Sequence, residues 1–251
     1  MSDAARQALL TALADDLEQL RYLHAQELVP TTVDLLKQAD FPEGLALLPG
    51  TPEAVAAWAA MRAAVAALPG SPAGLEALAA DYAAIYLNHR YGTSPCESVW
   101  LSDDHLACAL PMLELRAYYA RAGLAVADRR FFDDHLVVQL AYLAQALRRL
   151  AAAPSPDSAR ALADFLDEHL GYWFPEFAAR VVQFADSDFY AALARLSGCW
   201  LQALRGLLGE LAGHPEPPRE VLRARIEQKL ARDKAGVAPV RFMPGGQGAS
   251  W

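Results

Sequence analysis

Two acidic residues and a histidine stand together as Asp133-Asp134-His135, directly before a long apolar stretch. Carboxylates bind guanidinium groups through paired, charge-assisted hydrogen bonds, so Asp134 is a candidate acceptor for an arginine of a partner. The same residues also suit the start of a helix, because acidic side chains stabilise a first turn. The pattern therefore predicts a helix start, a binding site for a basic segment, or both.

A second group of residues surrounds a short loop. The stretch 94–100 reads Ser-Pro-Cys-Glu-Ser-Val-Trp and follows an aromatic-rich segment that contains Tyr86. One interpretation places Tyr86 and Trp100 on the floor of an apolar groove, with Glu97 at its rim. The other interpretation is a loop that Val99 and Trp100 pin to the core. Both interpretations remain open from the sequence alone.

The spacing of the candidate residues does not indicate a metal site or a catalytic site. A zinc site could be drawn from His89, Cys96, His105 and Cys108, but only His105-x-x-Cys108 has suitable spacing. A di-iron bundle needs Glu-x-x-His pairs, and none of the 6 histidines has a glutamate three residues before it. No nucleophile motif or phosphate-binding loop is present in the sequence. We therefore predict a protein that is not an enzyme and has no metal or other cofactor.

The composition favours helices and argues against a nucleic-acid partner. The chain has 251 residues, of which 54% are hydrophobic and 21% charged, with many alanines and leucines. Its formal net charge of -8 does not suit binding to phosphates. No apolar run approaches the length of a membrane span, no secretory signal is visible, and the 3 cysteines form no CxxC pair. These features predict a cytoplasmic protein.

Capping residues and prolines divide the chain into helices. A helical domain is expected over residues 1–235, followed by an irregular Gly/Pro-rich tail over 236–251. A non-helical stretch is expected at about 89–103, and a bend at Phe174-Pro175. The predicted helices are about 4–28, a short one after Pro30, 52–67, 72–88, one from Pro111 to Gly123, 133–152, 156–170, one after Pro175, one from 187 to 211, and 219–234.

The order and spacing of these elements resemble the TorD/DmsD group of redox enzyme maturation chaperones, which is related to NarJ. Asp134 and His135 match the Asp-His pair of that family, and Asp133 matches its preceding acid. Phe132 stands where the family usually has a proline. Further matches are Pro95, Ser98, Val99 and Trp100 in the loop, Tyr82 and Tyr86 before it, and His169, Trp173, Phe177 and Phe189-Tyr190 after it.

The resemblance implies an all-α fold, a single bundle of about ten helices. It also implies a chaperone that binds the twin-arginine leader and the cofactor-free catalytic subunit of a molybdenum oxidoreductase, aids cofactor insertion and delays export. A generic helical scaffold that binds a partner helix in an apolar groove is the alternative. The sequence is compatible with a monomer or a homodimer. The residues expected to contact the leader or client are Tyr86, Glu97, Ser98, Trp100, Asp133, Asp134 and His135.

Overall fold

The protein folds as an all-α bundle, as predicted. The structure, a computed structural model, describes residues 2–101, 105 and 110–236. This described part contains eleven α-helices and no β-strand, and a π-helical turn, Ala83–Leu87, continues α4. The helices are α1 (Asp3–Ala25), α2 (Pro30–Gln38), α3 (Pro52–Ala66), α4 (Pro72–Tyr82), α5 (Glu97–Leu101), α6 (Leu110–Arg121), α7 (Leu136–Ala152), α8 (Pro156–Glu168), α9 (Leu170–Phe184), α10 (Asp188–Ala212) and α11 (Arg219–Gly236).

Three helices begin at a Ser/Thr-Pro pair, as expected from the capping residues and prolines of the sequence. The hydroxyl groups of Thr51, Ser71 and Ser155 accept hydrogen bonds from the backbone N–H three residues later, at 3.2, 3.3 and 3.0 Å. The proline that follows each of them occupies a first-turn position, where no N–H donor is needed. The starts of α3, α4 and α8 are therefore fixed locally by the sequence.

The long helix α10 lies at the centre of the core. It packs against α3, α8 and α9, while α1 packs mainly against α7. None of the described helices is long and apolar enough to cross a membrane. One continuous core joins α10 to residues of most of the other helices. The fully buried side chains of α10 include Leu193, Leu196, Trp200, Leu204 and Leu208.

Helix α7 begins three residues later than predicted, at Leu136 rather than at residue 133. The reason is that the backbone just before α7 is extended and pairs with the loop at residues 94–100. Cys96 and His135 form an isolated antiparallel bridge, and the N–H of Leu136 donates to the carbonyl of Pro95 at 2.7 Å. The same loop contains the short helix α5, which the sequence had placed in a non-helical stretch.

The predicted bend at Phe174-Pro175 is also displaced. The chain turns at His169 (φ -123, ψ -107), and Pro175 lies inside α9. Pro175 cannot donate the usual hydrogen bond to the carbonyl of Gly171. Helix α9 continues through it because Trp173, Phe174 and neighbouring aromatic side chains are buried in the core. Buried aromatic area outweighs one lost backbone hydrogen bond.

Candidate functional site

The loop that leads into α5 is held against the residues before α7. The Trp100 Nε1–H donates to the carbonyl of Ser94 at 2.8 Å, which closes the loop on itself. The backbone N–H of Glu97 donates to the carbonyl of Asp134 at 3.1 Å. The two sequence motifs, 36 residues apart at Ser98 and Asp134, are therefore one structural unit.

Glu97 lies inside this unit and not at the rim of a groove, since only 1% of it is exposed. Its Oε2 accepts a hydrogen bond from Gln139 Nε2 at 3.0 Å, and its Oε1 lies 2.9 Å from Nδ1 of His169. Burial raises the pKa of Glu97, and the neighbouring His169 partly offsets that rise. Glu97 therefore connects α5 to α7 and to the break between α8 and α9.

Asp134 is completely buried, and its contacts are internal. Its Oδ2 accepts a hydrogen bond from the backbone N–H of Ser98 at 2.8 Å. Burial raises the pKa of Asp134, and hydrogen bonds from the side chain and backbone of Ser98 partly offset the rise. The Asp134 carbonyl also accepts from Gln139 Nε2 at 2.9 Å. In this conformation no partner arginine reaches the Asp134 carboxylate without displacing the loop.

His135 caps the N-terminus of α7. Its Nδ1 accepts a hydrogen bond from the backbone N–H of Val137 at 3.1 Å, and its ring lies 4.6 Å from that of Phe131. Burial lowers the pKa of His135 from 6.5 to about 3. A neutral imidazole is the form that accepts this hydrogen bond, so the cap and the lowered pKa are consistent.

Tyr86 and Trp100 do not form a shared open floor. Tyr86 is buried, and its hydroxyl lies 2.7 Å from Nδ1 of His24. Its ring stacks on that of Tyr82 with centroids 4.8 Å apart. Trp100 is partly exposed and meets Phe177 edge-on at 6.4 Å. Of these two aromatic residues, Trp100 is the one that a partner can reach.

Asp133 is partly exposed and is paired with an arginine of α6. Arg116 donates to Oδ2 of Asp133 from Nε at 2.9 Å and from Nη2 at 2.7 Å. The Tyr119 hydroxyl, one turn further along α6, donates to the Asp133 carbonyl at 3.0 Å. The large apolar side chains of Leu113 and Phe132 are about half exposed. We call these four side chains, Leu113, Arg116, Phe132 and Asp133, the Asp133 patch.

An apolar groove of about 670 Å³ runs along α10 on another part of the molecule. Helix α3 forms one wall, α9 forms the other, and the start of α11 closes one end. Small residues of α10 form its floor, and its charged lining contains three acidic and three basic side chains. The lining includes Glu53 and Ala57 of α3, Phe174, Pro175 and Ala178 of α9, Ala194, Arg195, Gly198, Cys199 and Arg205 of α10, Asp167, Glu216, Arg219 and Leu222.

One group of possible metal-ligating residues occurs among the described residues, formed by Asp164, Asp167 and His214. Arg205 donates to both carboxylate oxygens of Asp167, at 2.6 and 2.8 Å. His214 Nε2 lies 3.0 Å from Oδ1 of Asp164. Because a guanidinium already neutralises Asp167, this group is explained as an ion-pair cluster and does not fit a cation.

The histidines of the conceivable zinc set contact the backbone. Nδ1 of His89 lies 2.8 Å from the carbonyl of Thr93, and Nδ1 of His105 lies 2.8 Å from the carbonyl of Val99. Cys108 falls outside the described residues. The described contacts of these two rings are accounted for by loop structure.

The sequence did not indicate the pairings of three residues that complete the unit. Gln139 bridges Glu97 and Asp134, and Arg116 pairs with Asp133. His169 was marked as a motif residue but not as the partner of Glu97. His169 and Gln139 are distant in sequence from Glu97, so only the three-dimensional fold reveals the pairing.

A family comparison decides the relationship. The model of the nitrate reductase delta subunit family matches residues 48–179, just over half of the chain. This chain belongs to the nitrate reductase delta subunit family. The predicted relationship to the TorD and NarJ-related chaperones is thereby confirmed. The family match includes all seven residues that are expected to contact the leader or client, whereas α10 and α11 lie beyond it.

Curated relatives of this delta subunit family member carry chaperone names. "Chaperone protein TorD" of Vibrio cholerae is 33% identical over 137 residues, which are 52% of this chain and 62% of that protein. "Selenate reductase assembly chaperone protein" of Thauera selenatis is 40% identical over 90 residues, 34% of this chain and 46% of that protein. The TorD protein of Vibrio parahaemolyticus is 30% identical over 123 residues, 46% of this chain and 57% of that protein. The chain thus spans about three fifths or less of these relatives.

Proposed function

We propose that this delta subunit family member is a chaperone, not an enzyme, for the assembly of an oxidoreductase. Its client is the catalytic subunit of a molybdenum oxidoreductase. It binds the client's twin-arginine leader and cofactor-free body in the cytoplasm, aids cofactor insertion and delays export. The observation that carries the proposal is the family match over the segment that contains the linked motifs. The chaperone names of three relatives support it.

The buried and exposed residues of the two motifs have different parts in this proposal. Trp100 and Asp133 are partly exposed, and we assign them direct contact with the leader. Asp133 offers a carboxylate to an arginine of the leader, and Trp100 offers apolar area to the leader's hydrophobic segment. The other five expected contact residues are buried. Glu97, Ser98, Asp134 and His135 hold the loop and the start of α7 in place for these two, whereas Tyr86 packs in the core beside His24.

Co-expression with a candidate client tests the proposal. The catalytic subunit of a molybdenum oxidoreductase is produced in the cytoplasm with and without this protein, and its molybdenum content and activity are measured. We expect a stable complex with the cofactor-free subunit and a higher cofactor content when the chain is present. A catalytic subunit without a leader serves as the control for binding to the body alone. No complex and no change in cofactor content with any subunit of this class would contradict the proposal.

The groove along α10 favours the alternative function, a helical scaffold that binds a partner helix. A Cβ added at Gly198 would meet Phe174 at an ordinary contact distance of 3.7 Å, so an alanine fits there without disturbing the core. Gly198→Met fills the groove, whereas Gly198→Ala is the matched control. If the chaperone proposal is correct, both variants bind the leader like the parent. Loss of client binding by Gly198→Met alone would favour the scaffold.

A further inference from the structure

We propose that Arg116 is a resident competitor for a client arginine at Asp133. The inference rests on the proposed function and deepens it, because it assigns the contact point of the leader's guanidinium and the residue that regulates access to it. The partner it requires is a segment in which an arginine adjoins apolar side chains.

Among the three carboxylates of the two motifs, a partner can reach only that of Asp133. Asp134 is 0% exposed and Glu97 is 1% exposed, and both accept hydrogen bonds from inside the protein. The side chain of Asp133 is 14% exposed. A client arginine that does not unfold the loop therefore meets Asp133.

The Asp133 carboxylate already holds a guanidinium. Arg116 donates to its Oδ2 from two nitrogens, at 2.9 and 2.7 Å, and this arrangement is the one that a client arginine would form. The Arg116 side chain is 60% exposed, so it can move into solvent without leaving a buried gap. A client arginine thus exchanges one ion pair for another and gains little from the charge alone.

The apolar side chains of the Asp133 patch provide the favourable binding free energy that the exchange of ion pairs does not. Phe132 directly precedes Asp133, and Leu113 lies one turn before Arg116 on the same face of α6. These side chains are 50% and 51% exposed. Covering them gives a favourable contribution that a purely basic segment cannot obtain. The Asp133 patch therefore favours an arginine that is followed by apolar residues over a basic segment without them.

The test uses a fluorescein-labelled synthetic peptide in which two adjacent arginines precede a run of leucines and alanines. Its affinity is measured by fluorescence anisotropy for the full chain and for Arg116→Gln. Arg121→Gln is the matched control, because it removes an equal charge from the same helix and contacts Tyr118 rather than Asp133. Since exposed ion pairs contribute up to about 1 kcal/mol, we expect Arg116→Gln to bind about twofold to fivefold more tightly than Arg121→Gln.

The double variant Arg116→Gln/Asp133→Asn separates competition from general electrostatics. If Arg116 competes for Asp133, adding Arg116→Gln to Asp133→Asn should give no further gain in affinity. Binding of the peptide by all variants with no advantage for Arg116→Gln, or an equal gain in the Asp133→Asn background, would overturn the inference and leave the proposed function intact. No binding of the peptide by any variant would overturn both.

Discussion

Asp133 and Asp134 are neighbours in sequence but lie in different environments. The Asp134 carboxylate is buried and accepts a backbone hydrogen bond from Ser98, whereas the Asp133 carboxylate meets an exposed arginine. Removing a buried acceptor leaves its buried donor without a hydrogen-bond partner, and this lowers the stability of the protein. An ion pair with an exposed arginine contributes little to stability. Asp134 should therefore contribute mainly to stability, and Asp133 mainly to binding of the leader.

Removing each carboxylate in turn tests this separation. Asp134→Ala should lower the free energy of unfolding by about 1–3 kcal/mol, because the buried N–H of Ser98 loses its acceptor. Asp133→Ala should lower it by about 0–1 kcal/mol. Urea denaturation followed by circular dichroism measures both values. Equal losses for the two variants would show that Asp134 is not the structural partner of the loop.

His135 makes stability depend on pH in a defined direction. Its pKa falls from 6.5 to about 3 on folding, so between these values the unfolded chain binds a proton that the folded protein does not. The stability that neutral His135 contributes is present above pH 6.5 and is lost as the pH falls towards 3. Burial raises the pKa of Glu97 and Asp134, which acts in the opposite sense.

Replacing His135 by asparagine isolates the contribution of this histidine to the pH dependence of stability. His135→Asn keeps an acceptor for the Val137 N–H and does not titrate. The free energy of unfolding of the parent should therefore fall more steeply than that of His135→Asn between pH 6.5 and 4, by up to about 1.4 kcal/mol per pH unit. Urea titrations at several pH values measure the two slopes. Parallel slopes would mean that His135 is protonated in the folded protein.

For individual residues, the sequence predicted which residues belong to the candidate site but not which of them are exposed. The Asp133-Asp134-His135 motif and the loop were found, because acid and aromatic residues at these positions are informative locally. Which of two adjacent carboxylates is buried depends on the bridge between Cys96 and His135, which joins segments distant in sequence. The same holds for Gln139 and His169, whose contacts with Glu97 have no local signal.

At the scale of elements, α9 shows how tertiary packing overrides a local preference. Pro175 favours a bend, and the sequence predicted one there. The chain turns at His169 instead, where α8 and α9 meet and Gly171 lies close to the Leu166 carbonyl. A Cβ at Gly171 would lie 2.5 Å from that carbonyl oxygen, so only glycine fits the junction.

Replacing the proline within α9 should stabilise the protein. Pro175→Ala restores a donor for the Gly171 carbonyl, and we expect the free energy of unfolding to rise by about 1–2 kcal/mol. Pro156→Ala is the matched control, because Pro156 begins α8, where no donor is required. That variant should be neutral or slightly destabilising. Thermal and urea denaturation of the pair provide the comparison, and a destabilised Pro175→Ala variant would contradict the explanation.

The helix starts were predictable, and the irregular connections were not. Ser/Thr-Pro pairs and the glycine after α6 fix helix ends through local hydrogen bonds, as Gly123 does with φ 68. The start of α7 and the presence of α5 depend on pairing between two loops. Such pairings have no periodic pattern, so the predicted boundaries differed there by several residues.

At the scale of the whole molecule, two accessible surfaces lie on different elements. The Asp133 patch is formed by α6 and the residues before α7, and the apolar groove by α3, α8, α9, α10 and α11. The Asp133 patch lies in and beside the motifs that match the family, whereas α10 and α11 lie beyond the matched segment. The sequence predicted the all-α class from its composition and caps. It did not predict the groove, which forms only when five helices come together.

The net charge of the molecule adds a long-range component to the encounter with a basic leader. The formal net charge of -8 comes from 30 acidic residues against 22 basic ones. Long-range attraction therefore does not depend on any one carboxylate. A decisive measurement must therefore keep the net charge equal among the variants that it compares.

Titration calorimetry with a twin-arginine leader peptide of a molybdenum oxidoreductase is that measurement. Asp133→Asn is compared with Asp128→Asn, a carboxylate that is likewise paired with an exposed arginine, Arg130. Both variants carry the same net charge. Both substitutions are made in the Arg116→Gln background, where no resident arginine competes for Asp133. We predict that Asp133→Asn then binds about twofold to fivefold more weakly than Arg116→Gln alone, through loss of the ion pair with the leader's arginine, while Asp128→Asn binds like Arg116→Gln alone. Equal affinities for the two folded variants would contradict the assignment of the leader-binding site to Asp133.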